Sequence, residues 1–303
     1  MESQRQLNIR SAASRSESLV SAFALTFCLL FFSTAALASD HSGQFTEEFH
    51  QTYPFSAGGR VELDNINGAV HITGWDHNEV KVDAIKYANS KERLDEAKIE
   101  VNASGESISI RTRYPDHDLN FNFGGHNNPA GVEYTLSVPR NARLEEIKLV
   151  NGSLDIQGVS AEVRASCVNG RLLAHNLGGR AELSTVNGRM EAAFDAIGNS
   201  PVEISSVNGS VELTLPSDAK AQIEASTVSG GINNDFGLHV NNHQFVGHSL
   251  RGELGGGGTR IKLSDVNGRI EIRHANDGRS LSSAKDLNRG NRDDDDRDDD
   301  DEI

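Results

Sequence analysis

The chain is poor in cysteine. Of 303 residues only Cys28 and Cys167 carry thiols. Cys28 lies in an apolar leader, so Cys167 has no partner in the rest of the chain and no internal disulfide holds the fold. Aromatic residues make up 6% of the chain, with one tryptophan, Trp75. Basic residues are outnumbered, 29 Lys and Arg against 44 Asp and Glu, for a net charge of −15. That balance argues against nucleic acid as a partner. Familiar catalytic phrases are missing as well. There is no Gly-x-Ser-x-Gly, no His-Glu-x-x-His and no phosphate loop; Gly255 to Gly258 leads into Thr259-Arg260 rather than Lys-Ser/Thr, and so reads as a turn. Nothing implies a cofactor or a catalytic residue.

The two ends of the chain read as separate from its body. Arg5, Arg10 and Arg15 precede an almost wholly apolar run from Leu19 to Leu37, and Ala36-Leu37-Ala38 is a small-residue cleavage site. This is the pattern of a signal peptide over residues 1–38, cut between Ala38 and Ser39. The rival reading is a retained anchor, since ~20 apolar residues can span a bilayer. With cleavage there is no stable transmembrane span, and the protein is exported to the periplasm, the outer cell surface or the medium. Cys28 lacks the context of a lipid-modified cysteine. At the other end, residues 291–303 hold eight Asp and one Glu against two Arg. Such a block repels itself, so residues 276–303 read as a disordered acidic tail.

Between them one phrase keeps returning: a small polar residue, any residue, Val, Asn, Gly. It reads Ser166-Cys167-Val168-Asn169-Gly170, Ser184-Thr185-Val186-Asn187-Gly188 and Ser205-Ser206-Val207-Asn208-Gly209. It returns as Ser226-Thr227-Val228-Ser229-Gly230 and Ser264-Asp265-Val266-Asn267-Gly268, with looser copies at Ile66-Asn67-Gly68 and Val150-Asn151-Gly152. The glycines at 152, 170, 188, 209 and 230 are 18, 18, 21 and 21 residues apart. The last step, from Gly230 to Gly268, is 38, which suggests two periods with one degenerate copy. The second residue after each Gly is apolar (Leu172, Met190, Val211), the third mostly polar and the fourth usually apolar again, the alternation of a half-buried strand.

Asn-Gly is a strong hairpin signal, so a meander is one solution. The favoured one is a β-solenoid of 18–21-residue coils, in which equivalent residues stack about 4.8 Å apart. A stack favours one polar residue at each corner because identical side chains can bond from coil to coil, and both the Ser and the Asn columns fit that expectation. Short strands are also expected across Phe45–Lys86, at 99–101, 108–113 and 132–138. A short helix capped by Ser90 is expected over Ser90–Ala97.

These phrases, with Val61 to Gly68, Gly74-Trp75-Asp76, Tyr134 to Pro139 and Gly256-Gly257-Gly258, resemble the bacterial DUF4097 putative-adhesin family, related to the head-GIN domain. The resemblance covers about Phe45 to Arg273. It implies an all-β, right-handed β-helix-like fold for a domain spanning residues 39–275. It supplies no catalytic residues.

The remaining candidates have bland readings. Cys167 holds the slot of Thr185, Ser206, Thr227 and Asp265, so it reads as a small stacked residue rather than a nucleophile. His239, His243 and His248 lie in a polar stretch with no helix to fix zinc geometry, so no metal site is assigned. Asp155, Glu191, Glu212 and Glu271 form an acidic column with Arg171, Arg189 and Arg269 close by, which reads as an exposed ion-pair ladder. The functional expectation is a non-enzymatic surface-contact protein of the cell envelope, with an envelope component, a protein or a glycan as partner. The alternatives are a β-helix lyase or hydrolase acting on polysaccharide and a purely structural envelope component. Partner contact is expected on two polar loops, 114–131 and 233–258.

Overall fold

The structure is a computed structural model, and it describes residues 44–115, 129–242 and 247–287. The leader with Ala38 and Ser39, residues 116–128 of the first polar loop, His243 and the acidic stretch from residue 288 lie outside the described residues. Four strands open the fold: β1 (Phe45–Pro54), β2 (Arg60–Asn67), β3 (Val70–Trp75) and β4 (Glu79–Ala88). The helix α1 (Lys91–Glu96) follows, with Ser90 as its cap accepting from the Arg93 N–H at 3.3 Å. Next come β5 (Lys98–Ser104), β6 (Ser107–Arg113) and β7 (Gly131–Pro139). The repeat proper is β8 (Arg143–Gln157), β9 (Val163–Leu177), β10 (Ala181–Phe194) and β11 (Val202–Leu215). The chain finishes with β12 (Ala221–Ser229), β13 (Ile232–Asn234), β14 (Val240–Asn242), β15 (His248–Leu254), β16 (Thr259–His274) and β17 (Ala284–Asp286).

Each central coil is one long strand bent at its Asn-Gly, not two strands joined by a hairpin. In β9, Val163, Ala165 and Cys167 point inward; after the corner Leu172 and Ala174 do. The inward parity therefore changes from odd to even across Val168-Asn169-Gly170. Both arms of the bent strand face one core, which lies in the angle between them. Neighbouring coils pair in parallel and in register: Leu172, Met190, Val211 and Ile270 fall on one line, and Ala165, Leu183, Ile204 and Leu263 on another. All eight side chains are buried. This is a solenoid-like stack in which apolar columns, not single contacts, make the core.

The stack does not follow chain order at its ends. β16 lies between β11 and β12, pairing in parallel with both. The 38-residue step from Gly230 to Gly268 is thus not two periods with a degenerate copy. The chain leaves the stack after β12 and β13, builds an antiparallel cover from β14 and β15, and returns to fill the place it skipped. The mirror arrangement holds at the other end. There β2 and β3 form a coil against β8, and the chain then departs through β4 and β5 and returns as β6 on β2 and β7 on β3.

This corrects the expectation that residues 233–258 project as a polar loop. Phe236, Leu238, Leu250 and Leu254 in that stretch are buried, and β15 pairs antiparallel with β12. The apolar ends of the core columns need a cover, and this segment supplies it. The fold also runs past residue 275: Arg279 meets Asp218 at 2.8 Å and β17 pairs with β15.

Candidate interaction surface

The corner phrase places three different columns side by side. The glycines come first. At Gly188, with φ +142°, a Cβ would sit 1.7 Å from the Gly170 carbonyl oxygen. Gly170, Gly209 and Gly230 meet the same obstacle at 1.8, 1.7 and 1.8 Å, and the looser Gly68 and Gly152 meet backbone at 2.3 and 2.5 Å. Gly209 and Gly268 do not have the positive φ of the others. What all seven share is the close approach of one coil's backbone to the next, which excludes any side chain.

The asparagines come next. Asn151 Nδ2 donates to Asn67 Oδ1 at 2.9 Å, Asn169 to Asn151 at 3.0 Å, Asn187 to Asn169 at 2.8 Å, Asn208 to Asn187 at 3.0 Å and Asn267 to Asn208 at 2.9 Å. Six amides, all exposed but the half-buried Asn67, thus form one unbroken ladder, closed at β12 by Ser229, which pairs in register with Asn267. Each amide between the two ends spends one donor and one acceptor lone pair on the ladder and keeps one of each for solvent or a partner. The serine column is also in register, Ser166 to Ser184 to Ser205 to Ser264, but no side-chain bond joins its members.

The third column was not expected. The residue before each Asn turns outward at the corner, so Ile66, Val168, Val186, Val207, Val266 and Val228 stand 37–52% exposed in a single file. Val150 sits in the same file, half-buried. Solvent-exposed apolar residues usually occur singly; a contiguous row marks a contact surface. The signal was present in the sequence: Val is invariant in the phrase yet falls at the point where the two-residue alternation breaks.

Beside this ridge the acidic column is occupied by cations. Arg189 meets Glu191 at 2.6 Å and Glu212 at 2.9 Å, Arg273 meets Glu212 at 3.2 Å and Glu271 at 2.5 Å, and Arg269 meets Glu271 at 3.3 Å. Arg273, then Arg269, hold the Glu271 carboxyl below the usual range. His71 meets Asp155 at 2.9 Å. Cys167 is buried, and burial pushes its thiol up to about 11, which leaves little thiolate. His248 lies in β15 and His239 just before β14; no group of three ligand-type side chains gathers among the described residues. Trp75 is half-buried, donating through Nε1 to the Glu79 carbonyl at 2.9 Å. Two surface depressions are lined largely by charge, one including Glu62, Arg111 and Lys148, the other Asp235, Glu271 and Arg273. No helix among the described residues is long and apolar enough to cross a membrane.

The Toastrack DUF4097 family model matches residues 153–273 of the chain. The match spans the coils from the corner of β8 to the last strand of the stack. Among solved structures, the chain is similar to a "putative cell adhesion protein" from Clostridium sporogenes at 15% identity, over 76% of this chain and 100% of that one, with a TM-score of 0.45. It is similar to a "putative adhesin" from Bacteroides fragilis at 12% identity, over 75% and 97%, with a TM-score of 0.24. Likenesses this distant carry no argument about function. No curated protein matches the chain.

Proposed function

We propose that the protein is an exported, non-enzymatic contact protein of the cell envelope or cell exterior, adhesin-like in the sense that it works by presenting a stiff surface. The observation that carries this reading is the straight row of exposed Val and Ile side chains beside the asparagine ladder. A partner laid along the stack meets an apolar stripe and, beside it, one free amide donor and acceptor per coil. The glycine column sets the backbone too tightly for this edge to remodel, so the surface is pre-organised and little ordering is lost on contact. The reading favours a broad contact over a buried pocket, because ligand pockets are concave and mostly apolar and the depressions here are charged.

The test is binding of the exported protein to envelope fractions, envelope proteins and glycans, comparing the parent with Val186→Lys/Val207→Lys. Neither side chain is buried, so the fold survives. Loss of binding with an unchanged melting temperature supports the ridge as the contact. Unchanged binding to every fraction that the parent retains removes the ridge from the reading.

A further inference from the structure

One buried slot in the stack behaves differently from the rest. The second residue of the phrase points inward at the corner, and along the stack this column reads Cys167, Thr185, Ser206, Asp265, Thr227, all 4% exposed or less. Where its bonds are formed, the rule is constant: the slot donates to the glycine carbonyl of the coil before it in the stack. Cys167 Sγ donates to the Gly152 oxygen at 3.6 Å and Thr227 Oγ1 to the Gly268 oxygen at 3.3 Å. By the same rule Asp265 faces the Gly209 oxygen. A Cβ placed on Gly268 would lie 1.5 Å from that oxygen and 2.5 Å from Asp265 Oδ2, so two acceptor oxygens stand side by side. Neither Asp265 oxygen meets a donor at good hydrogen-bond geometry. Every sister residue in the column is an S–H or O–H donor; an ionised aspartate has none to give.

We propose that Asp265 is carried as the neutral acid, its proton directed at the Gly209 carbonyl, so that the seam between β11 and the returning strand β16 is an acid-stabilised joint. The groups facing Asp265 are Ser206 from β11 and Thr227 from β12, both neutral hydroxyls. The only other buried charged side chain among the described residues, Lys86, belongs to β4. Among the described residues no cation pairs with the carboxylate. Burial pushes the Asp265 carboxyl up, against weaker pulls from the Ser206 hydroxyl and the Val266 amide.

An acid whose folded-state affinity for its proton exceeds its unfolded one stabilises the fold below the unfolded pKa. That contribution is lost as pH rises through the folded value. The window therefore opens near the ordinary aspartate pKa, about 4, and extends upward. Above it the seam holds a buried, unpaired charge between β11 and β16, where the chain made its out-of-order return.

The test is thermal unfolding of the exported protein from pH 4 to pH 8 for the parent, Asp265→Asn and Asp265→Thr. Asn keeps the shape and a donor; Thr is the residue of two sister coils and keeps the test sound should Asn fold poorly. Within the window the parent's melting temperature should fall relative to the variants by about 2–4 °C per pH unit. Infrared difference spectra should show a protonated carboxyl that the variants lack. Equal slopes for all three proteins would overturn the proposal. So would a parent whose stability in this range follows added sodium or calcium instead of pH, because the acid would then be an ionised cation ligand.

Discussion

The middle of the stack and its two ends are built on different principles. In β8 to β11 each coil packs on the coil that precedes it in the chain, at 18 to 21 residues' remove. At the ends the chain leaves, covers the open core and returns, so β2 pairs with β6 and β8, and β16 sits between β11 and β12. A repeat has no intrinsic stop: each coil exposes apolar columns and unpaired strand edges to the next position. Departure and return solve this at both ends, because the cover and the last inserted coil lock each other in place. The cost is non-local pairing, which forms slowly. The middle is therefore expected to be locally specified and the ends to depend on one another.

The largest expected effect is in the middle. Gly188→Val should cost about 4 kcal/mol or more, because the side chain meets backbone at 1.7 Å and φ is +142°. Gly231→Val, beside the corner of the terminal coil, has open space and no positive φ and should cost under ~1 kcal/mol on the same urea melts. Next is Leu263→Ala in β16, buried between Ile204 and Ala225. About 2–5 kcal/mol is expected, with protection from hydrogen exchange lost in β12 and β15 as well as in β16. Equal losses confined to β16 would mean that the end is not mutually locked.

Tyr134→Phe probes the opposite end. The Tyr134 hydroxyl shares a bond with Thr112 at 2.8 Å, and Thr112 donates to Asn65 at 2.9 Å. Losing the hydroxyl should cost about 1 kcal/mol, and the phenol's titration, which burial pushes upward in the parent, should be absent from the variant's spectrum. Asn187→Ala removes two ladder bonds in water and should cost about 1 kcal/mol, read as a small thermal shift. The smallest effect is His50→Ala on β1. Asp83, then Glu48, raise the His50 pKa, so its contribution is present below the ordinary histidine pKa and lost as pH rises through the folded value. Because His50 is mostly exposed, the difference should stay below ~0.5 kcal/mol.

Much of the middle was legible in the sequence because its physics is local. The alternation after each Gly located the buried columns at Leu172, Met190 and Val211, and the Ser90 cap located α1. Asn-Gly marked the corners, though as bends within one strand instead of hairpin turns. Order at the ends was not legible. Gly268 follows Gly230 in the chain, and nothing in the spacing says that its coil precedes it in space; only the pairing of β16 with both β11 and β12 shows that. The valine ridge was missed for a related reason. Composition does not say which way Val186 and Val207 face, and only the change of parity at the corner turns them outward. Asp265 was visible in the sequence only as an occupant of the Cys167 slot, and its proton could be argued only once the Gly209 carbonyl was placed beside it.

The out-of-order stack is tested most directly by engineered disulfides in a Cys167→Ser background. Adjacent parallel coils lie about 4.8 Å apart, within disulfide reach, and coils two apart lie beyond it. Asn208→Cys paired with Asn267→Cys, and Asn267→Cys paired with Ser229→Cys, should oxidise readily, while Asn208→Cys with Ser229→Cys should stay reduced. A disulfide between positions 208 and 229, with none between 208 and 267, would mean that the coils stack in chain order and would contradict the inserted strand.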